Sequence, residues 1–557
     1  MPPSPDPWRT FPPAEHEVLV VVRSVPAAGR LLDAVHVFDG DDRVELTFAL
    51  NPGSVSEPGV EPMLRAAGVQ RIIGFDRAVA DRERFSLALA ASPKEGLHRL
   101  RPAAGGPPLL LMPHGAGHNR LVGAVPGDLE TASGLAPGQL LHAGRALPAA
   151  LALSHTEQAG RLPAAPALRG VRAEAVGDVS FDRMSANEGR RDRFREALRI
   201  PPGHRLIVVS STWNRDSLLG SGRDAVRRLL AALPAESYRV ALIAHPNVWY
   251  RHDPHGLRRL LSDEQGAGLI LVDPYQGWRA ALVAADAVVG DHGSTTYYAA
   301  ALGRPVLLAA FGGDELDPAS PLHAFARRVP FLDPADDPRR AVEAALDAPP
   351  PDARDLLIAH PGAAAERLRG LCYSLLGAAP PPGPAALPPL PDPEHLSGEA
   401  TAWRVAAATV DVDRGAPVIR PALHPAAVSA ASRGPLLVST EDTVPARRDA
   451  ATALLRPRPV PEAEAVRWAR EALDRHPLCS LAAAVLPGGE YLLALADDPW
   501  LRLRADGPAA PPEVAAAATA WLDEDPALTT WREKGAVLLL PQGRTRLQHP
   551  PPPLISG

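Results

Sequence analysis

Ala285-Asp286-Ala287-Val288-Val289-Gly290-Asp291-His292-Gly293-Ser294-Thr295-Thr296 leads into a helical stretch ending at Leu302, and Gly303-Arg304-Pro305-Val306-Leu307-Leu308 follows at once. An apolar run, a polar glycine-containing turn, a helix and a second apolar run make one strand–helix–strand unit. The runs are rich in Val and Leu and do not alternate with polar residues, which suits parallel strands covered on both faces. Ser294 or Thr295 falls at the helix start. There, free backbone N–H groups and the positive end of the helix dipole favour an anion such as a diphosphate. The same position also suits ordinary capping by Asp291, Ser294 or Thr295.

The alternation extends both ways from this unit. Residues 17–23, 44–50, 70–75, 86–91, 108–113, 139–143 and 172–177 read as one series of strands. Residues 205–211, 238–244, 269–272, 287–290 and 305–309 read as a second, with helical patterns such as Asp224–Leu233 and Gly277–Ala285 between them. This predicts an α/β chain with two Rossmann-like doubly wound domains, over 1–185 and 186–377. The divide falls near 178–195, where the charged helix Glu188–Leu198 begins, and helical residues 352–376 are expected to close the second domain. Eight prolines among residues 380–393 mark a semi-rigid linker over 378–393. Beyond it, 394–545 reads as a smaller α+β region with strands at 435–439, 480–486 and 491–496 and a helix at 462–474. A disordered tail is expected over 546–557.

The chain has 557 residues, enough for about three domains. Its 58 basic against 64 acidic side chains give a net charge of −6 and no basic stripe, so nucleic acid is not an expected partner. Lys94 and Lys534 are the only lysines, and neither lies in a Gly-Lys-Ser/Thr sequence, which excludes a P-loop. Cys372 and Cys479 cannot build a disulfide scaffold or a cysteine-rich zinc site. The opening Met1-Pro2-Pro3-Ser4-Pro5 lacks a secretory pattern and no run reaches the length of a membrane span, so a cytoplasmic location is expected.

Two strands run into histidines. Leu109-Leu110-Leu111-Met112-Pro113-His114-Gly115-Ala116-Gly117-His118-Asn119-Arg120 is the first, and Val240-Ala241-Leu242-Ile243-Ala244-His245-Pro246-Asn247 the second. Ligands of open α/β sheets sit outside the carboxyl ends of strands, and an imidazole there can take a proton near neutral pH. Either histidine alone could instead bond backbone at a strand end. His118, beyond the Gly115 turn, is expected to matter less than His114. Ser210-Ser211-Thr212-Trp213-Asn214-Arg215 adds hydroxyls, an aromatic ring and a cation at a third strand end.

The order of these motifs resembles the two-domain GT-B glycosyltransferases, and within them the CDP-glycerol glycerophosphotransferase family. His114-Gly115 stands for that family's His-Gly-Thr-x-x-Lys, with Arg120 near its lysine. Thr212-Trp213 stands for its Thr-Trp segment, and His245-Pro246 for its Arg-Pro-His-Pro, with Ala244 in place of the proline. Asp291 and Ser294 stand for its Asp-Tyr-Ser-Ser, with His292-Gly293 between them, and Gly303-Arg304-Pro305 closes the series. The resemblance spans 17–377. It implies a metal-independent transferase with no cofactor, acting on a nucleotide-linked donor and a hydroxyl acceptor in glycopolymer synthesis. It implies His114 and His245 as catalytic residues, and Gly115, Thr212, Trp213, Asp291, Gly293, Ser294 and Thr295 as donor-binding. Arg120 and Arg215 support them, and a lipid-linked acceptor would bring the protein to a membrane surface. The layout also resembles the UDP-N-acetylglucosamine 2-epimerases, for which Asp76 and Glu95 are the available carboxylates. A non-catalytic scaffold of the same fold is the third reading.

Overall fold

The computed structural model describes residues 13–550 apart from 92, 94–95, 102–104, 122–131, 163–164, 222–223, 352, 386, 430–433 and 497–499. Glu95 and the end of the expected tail therefore lie outside the described residues.

The first series forms a seven-stranded, wholly parallel sheet. Its spatial order is Ile72–Gly74, Val44–Leu50, His16–Val22, Leu87–Ala90, Leu109–Leu111, Ala150–Leu153, Arg172–Ala175. The order reverses between His16–Val22 and Leu87–Ala90, which makes the crevice above these two strands the sheet's switch point. The second series forms a sheet ordered Val306–Leu308, Ala287–Gly290, Arg205–Ser211, Tyr238–Ala244, Ile270–Val272, His395–Ser397. Its switch point lies between Ala287–Gly290 and Arg205–Ser211. Separate buried clusters cover both faces of each sheet, as non-alternating apolar strands require.

Four expectations change. Residues 139–143 contain a helical turn and the two-residue strand Leu141–His142 of a small hairpin, and the sheet instead uses Ala150–Leu153. That strand reads Ala-Leu-Ala-Leu, too short and alanine-rich to stand out by pattern. Helix Ala364–Leu376 packs Leu368, Leu371 and Tyr373 against Val18, Val20 and Leu87 of the first sheet, not the second. Strand His395–Ser397 belongs to the second sheet, pairing antiparallel with Ile270–Val272. Finally, strand Gly543–Gln548 reaches into the expected tail.

The C-terminal region is more than the α+β unit expected of it: nine strands between Ala402 and Gln548 close into a barrel. Helix Pro511–Trp521 packs into the barrel core, where Ala515, Ala516, Ala517 and Ala518 are fully buried among Ile419, Leu437 and Leu481. Alanine allows a helix to approach strands this closely. The barrel sits on the second sheet's helical layer. The Ala235 N–H donates to the Leu423 carbonyl at 2.8 Å, and Glu236 Oε2 accepts from the Leu423 N–H at 2.9 Å.

Burial beside Glu513 pushes the Glu236 pKa up to about 7. A raised carboxyl pKa means the folded chain holds a proton that the unfolded chain releases, so stability falls as pH rises from the ordinary glutamate value towards 7. The full effect is on the order of 3 kcal/mol. Glu236→Gln should therefore match the natural chain in thermal unfolding near pH 5 and exceed it near pH 8.

Candidate active site

The register of the second sheet assembles half of the site. Ser211 pairs with Ala244 and Ser210 with Gly290, so Thr212, His245 and Asp291 leave one sheet edge side by side. The Asp291 carboxylate is wholly buried and accepts from the N–H groups of Thr212, Leu218 and Gly293, each at 2.9 Å. It fixes the 212–218 loop against the start of helix Ser294–Ala301. Burial raises its pKa, and those donors pull against the rise. Asp291 is thus a positioning residue that does not reach the cavity.

That cavity, of about 240 Å³, opens between the two switch points. His114, Gly115 and Arg120 line it from the first sheet's side, and Thr212, Trp213, His245, Gly293, Ser294 and Thr295 from the second's. Arg215 does not line it; its side chain is 92% exposed beside Asp216. His114 sits exposed, three residues past the strand that ends at Leu111.

His245 caps the helix Pro246–His252, with its Nδ1 accepting from the Asn247 N–H at 3.0 Å. An accepting Nδ1 leaves the ring proton on Nε2. Burial, helped by His114 and Arg120, lowers its pKa to about 3, so the ring is a neutral Nε2–H donor. Helix Ser294–Ala301 has Gly293 at its N-cap and no side-chain cap. Gly293, Ser294 and Thr295, at its start, line the cavity wall.

Gly115 brings the two halves together: a Cβ there would collide with Ser294 Oγ. The His114 loop and the start of helix Ser294–Ala301 are therefore in direct contact across the cleft. The Arg120 guanidinium lies over the Trp213 ring at 4.2 Å and pairs with Glu315 at 3.1 Å. Asn119 and Leu121 exchange backbone hydrogen bonds with Asp317 and Glu315 across the cleft, at 2.8 Å each.

No family model matches the sequence, and no curated protein matches it. Solved structures align with about two thirds of the chain at low identity. The wall teichoic acid polymerase TagF aligns with a TM-score of 0.44 and 12% identity, over 65% of this chain and 89% of that one. The S. aureus MnaA–UDP structure aligns at 0.41 and 11%, over 65% and 98%. UDP-GlcNAc 2-epimerase from Neisseria meningitidis bound to UDP-GlcNAc aligns at 0.41 and 12%, over 65% and 100%.

The cavity floor holds groups that motif reading missed. Arg30, 4% exposed, makes a two-pronged pair with Asp178 at 2.7 and 2.5 Å and donates to Tyr298 OH at 2.8 Å. The Tyr298 hydroxyl in turn donates to Asp178 at 2.8 Å. Arg279 reaches from the second half to Asp33 at 2.6 Å and to the Gly29 carbonyl at 3.1 Å. Arg183 shares Asp33 at 2.7 Å. A lone arginine in the apolar helix Val25–Ala34 is the trace these groups leave in the sequence.

Three arginines (30, 120 and 279) and four histidines (114, 118, 245 and 292) line the cavity, and among the described residues no Asp or Glu does. Among the same residues, no group of three or more His, Cys, Asp or Glu is gathered to hold a metal ion, and no helix is long and apolar enough to cross a membrane.

Proposed function

We propose that this chain is a metal-independent transferase. It moves a glycosyl or glycerophosphate group from a nucleoside-diphosphate-type donor to a hydroxyl acceptor. One observation carries the reading: a cavity between two switch points whose wall, among the described residues, bears arginines and histidines but no carboxylate. Such a wall suits an anionic ligand, because oriented N–H donors in a water-poor site stabilise negative charge without reorganising. The donor phosphates would lie at the start of helix Ser294–Ala301 and against His245. Thr212, Trp213 and Arg120 would flank the rest of the donor. Among the described residues that line the cavity the groups able to take the acceptor's proton are imidazoles, and two of them, His114 and His118, stand in one turn. The motif order favours a cytidine-diphosphate donor.

Epimerase chemistry asks for acid–base carboxylates facing a sugar. Asp76 is 87% exposed and paired with Arg99 at 2.8 Å, away from the cavity wall.

A thermal-shift screen against CDP-glycerol, UDP-N-acetylglucosamine and a GDP-sugar tests the proposal, since a ligand that binds only the folded state raises its melting temperature. One donor should raise it clearly. Ser294→Ala with Thr295→Ala should shrink that rise without abolishing it, because the helix N–H groups remain. No shift with any donor would overturn the proposal, and binding without turnover would turn it towards a scaffold.

A further inference from the structure

The two histidines that flank the cavity at His118 and His245 are held in opposite protonation patterns. His118 Nδ1 lies 2.8 Å from the Ser133 carbonyl oxygen. A carbonyl only accepts, so Nδ1 carries the proton and Nε2 presents a lone pair. The His245 Nδ1 accepts from a backbone N–H, so its Nε2 carries the proton. One ring is set to receive a proton and the other to donate a hydrogen bond.

His118 is also fixed in place. It is 8% exposed, lines the cavity, and packs against Gly134, where a Cβ would collide with the ring. Among the described residues nothing is hydrogen-bonded to its Nε2. Burial keeps the ring neutral, and the charged groups near it add a smaller push the same way. Arg161 donates to the His118 carbonyl at 2.6 Å while paired with Glu157 and Asp317, and His114 is the other titratable group in reach. Burial lowers its pKa to about 4.

Resting on the transferase reading above, we propose that His118 is a catalytic base of the transfer, its Nε2 receiving the proton of the acceptor hydroxyl. The hydroxyl oxygen forms a bond to the transferred carbon or phosphorus. The bond from that centre to the nucleotide's phosphate oxygen breaks, and that oxygen leaves with the electron pair. Its growing charge is met by the His245 Nε2–H and the helix start, while the hydroxyl proton passes to His118. His114, at the exposed rim, meets the acceptor on entry.

The test compares His118→Gln, His118→Ala and His114→Gln in the full chain, with the donor that stabilises it. His118→Gln keeps an N–H for the Ser133 carbonyl but cannot take up a proton. It should lower kcat about 10²–10³-fold while the donor-induced thermal shift is retained. Added imidazole should restore part of the activity of His118→Ala, and the natural chain should hold kcat from neutral pH down towards pH 5. His114→Gln should mainly raise the acceptor KM. If His118→Gln keeps kcat within about threefold and His114→Gln loses it, the base is His114 and the proposal is overturned. A loss in His118→Ala that imidazole does not relieve, with His118→Gln fully active, also overturns it and leaves His118 structural. Absence of donor binding or turnover in the natural chain would instead defeat the transferase reading itself.

Discussion

His245→Ala should lower kcat/KM by about 10²–10³-fold, the usual cost of removing one hydrogen-bond donor aimed at developing charge. The ring is neutral because its pKa is lowered to about 3, so its contribution is a hydrogen bond and not a charge. The deficit should accordingly stay constant from pH 5.5 to 9, where a histidinium contribution would fade as pH rose through the ordinary imidazole range. His245→Asn should recover stability, because an asparagine oxygen can cap the Asn247 N–H, but little of the rate, because its amide is shorter. Parallel pH–rate profiles of the natural and alanine enzymes check this. Profiles that converge at high pH would show that His245 acts as a cation.

Asp178→Ala should be the most damaging change to the fold, at about 3–5 kcal/mol, the typical cost of orphaning one partner of a buried ion pair. The carboxylate is fully buried and takes both guanidinium prongs of Arg30 and the Tyr298 hydroxyl. It also accepts from the Phe181 N–H at 2.9 Å, capping helix Val179–Ala186. Replacing Arg30 by methionine in the same chain should return part of the loss, since no charge is then stranded. Calorimetry on the single and double variants decides it. Equal melting of Asp178→Ala and the natural chain would mean that Arg30 finds another partner. Tyr298 belongs to the second half, so cleft geometry and donor affinity should suffer together in the single variant.

How much of this could be read from the sequence follows from what each feature depends on. Strands Arg205–Ser211, Tyr238–Ala244 and Ala287–Gly290 lie where the apolar runs put them, because strands buried on both faces need such runs. That His114, His245 and Ser294 each follow a parallel strand was legible for a related reason, since each is preceded by such an apolar run; the contact of Gly115 with Ser294 between the two halves was not. Strand Ala150–Leu153 and the hairpin of Ala402–Asp413 with Ala416–Pro425 were not legible. Alanine-rich strands carry little hydrophobic signal, and barrel closure rests on pairings far apart in sequence. The family resemblance places Asp291 with the ligand, but its carboxylate turns inward because three N–H groups converge on it. The Arg30–Asp178–Tyr298 cluster joins residues more than a hundred positions apart, a separation that no local pattern reports.

Helix Ala364–Leu376 completes the hydrophobic core of the first sheet, whose last strand ends at Ala175. During synthesis, roughly 200 residues must still leave the ribosome before that core can close, about 10–40 s at common elongation rates. Until then, the face formed by Val18, Val20 and Leu87 lacks its final cover. The N-terminal half therefore cannot mature first and wait for the rest. The last layer of the first sheet's core is thus supplied by a segment synthesised after the whole of the second parallel series, which ties completion of the one to the emergence of the other.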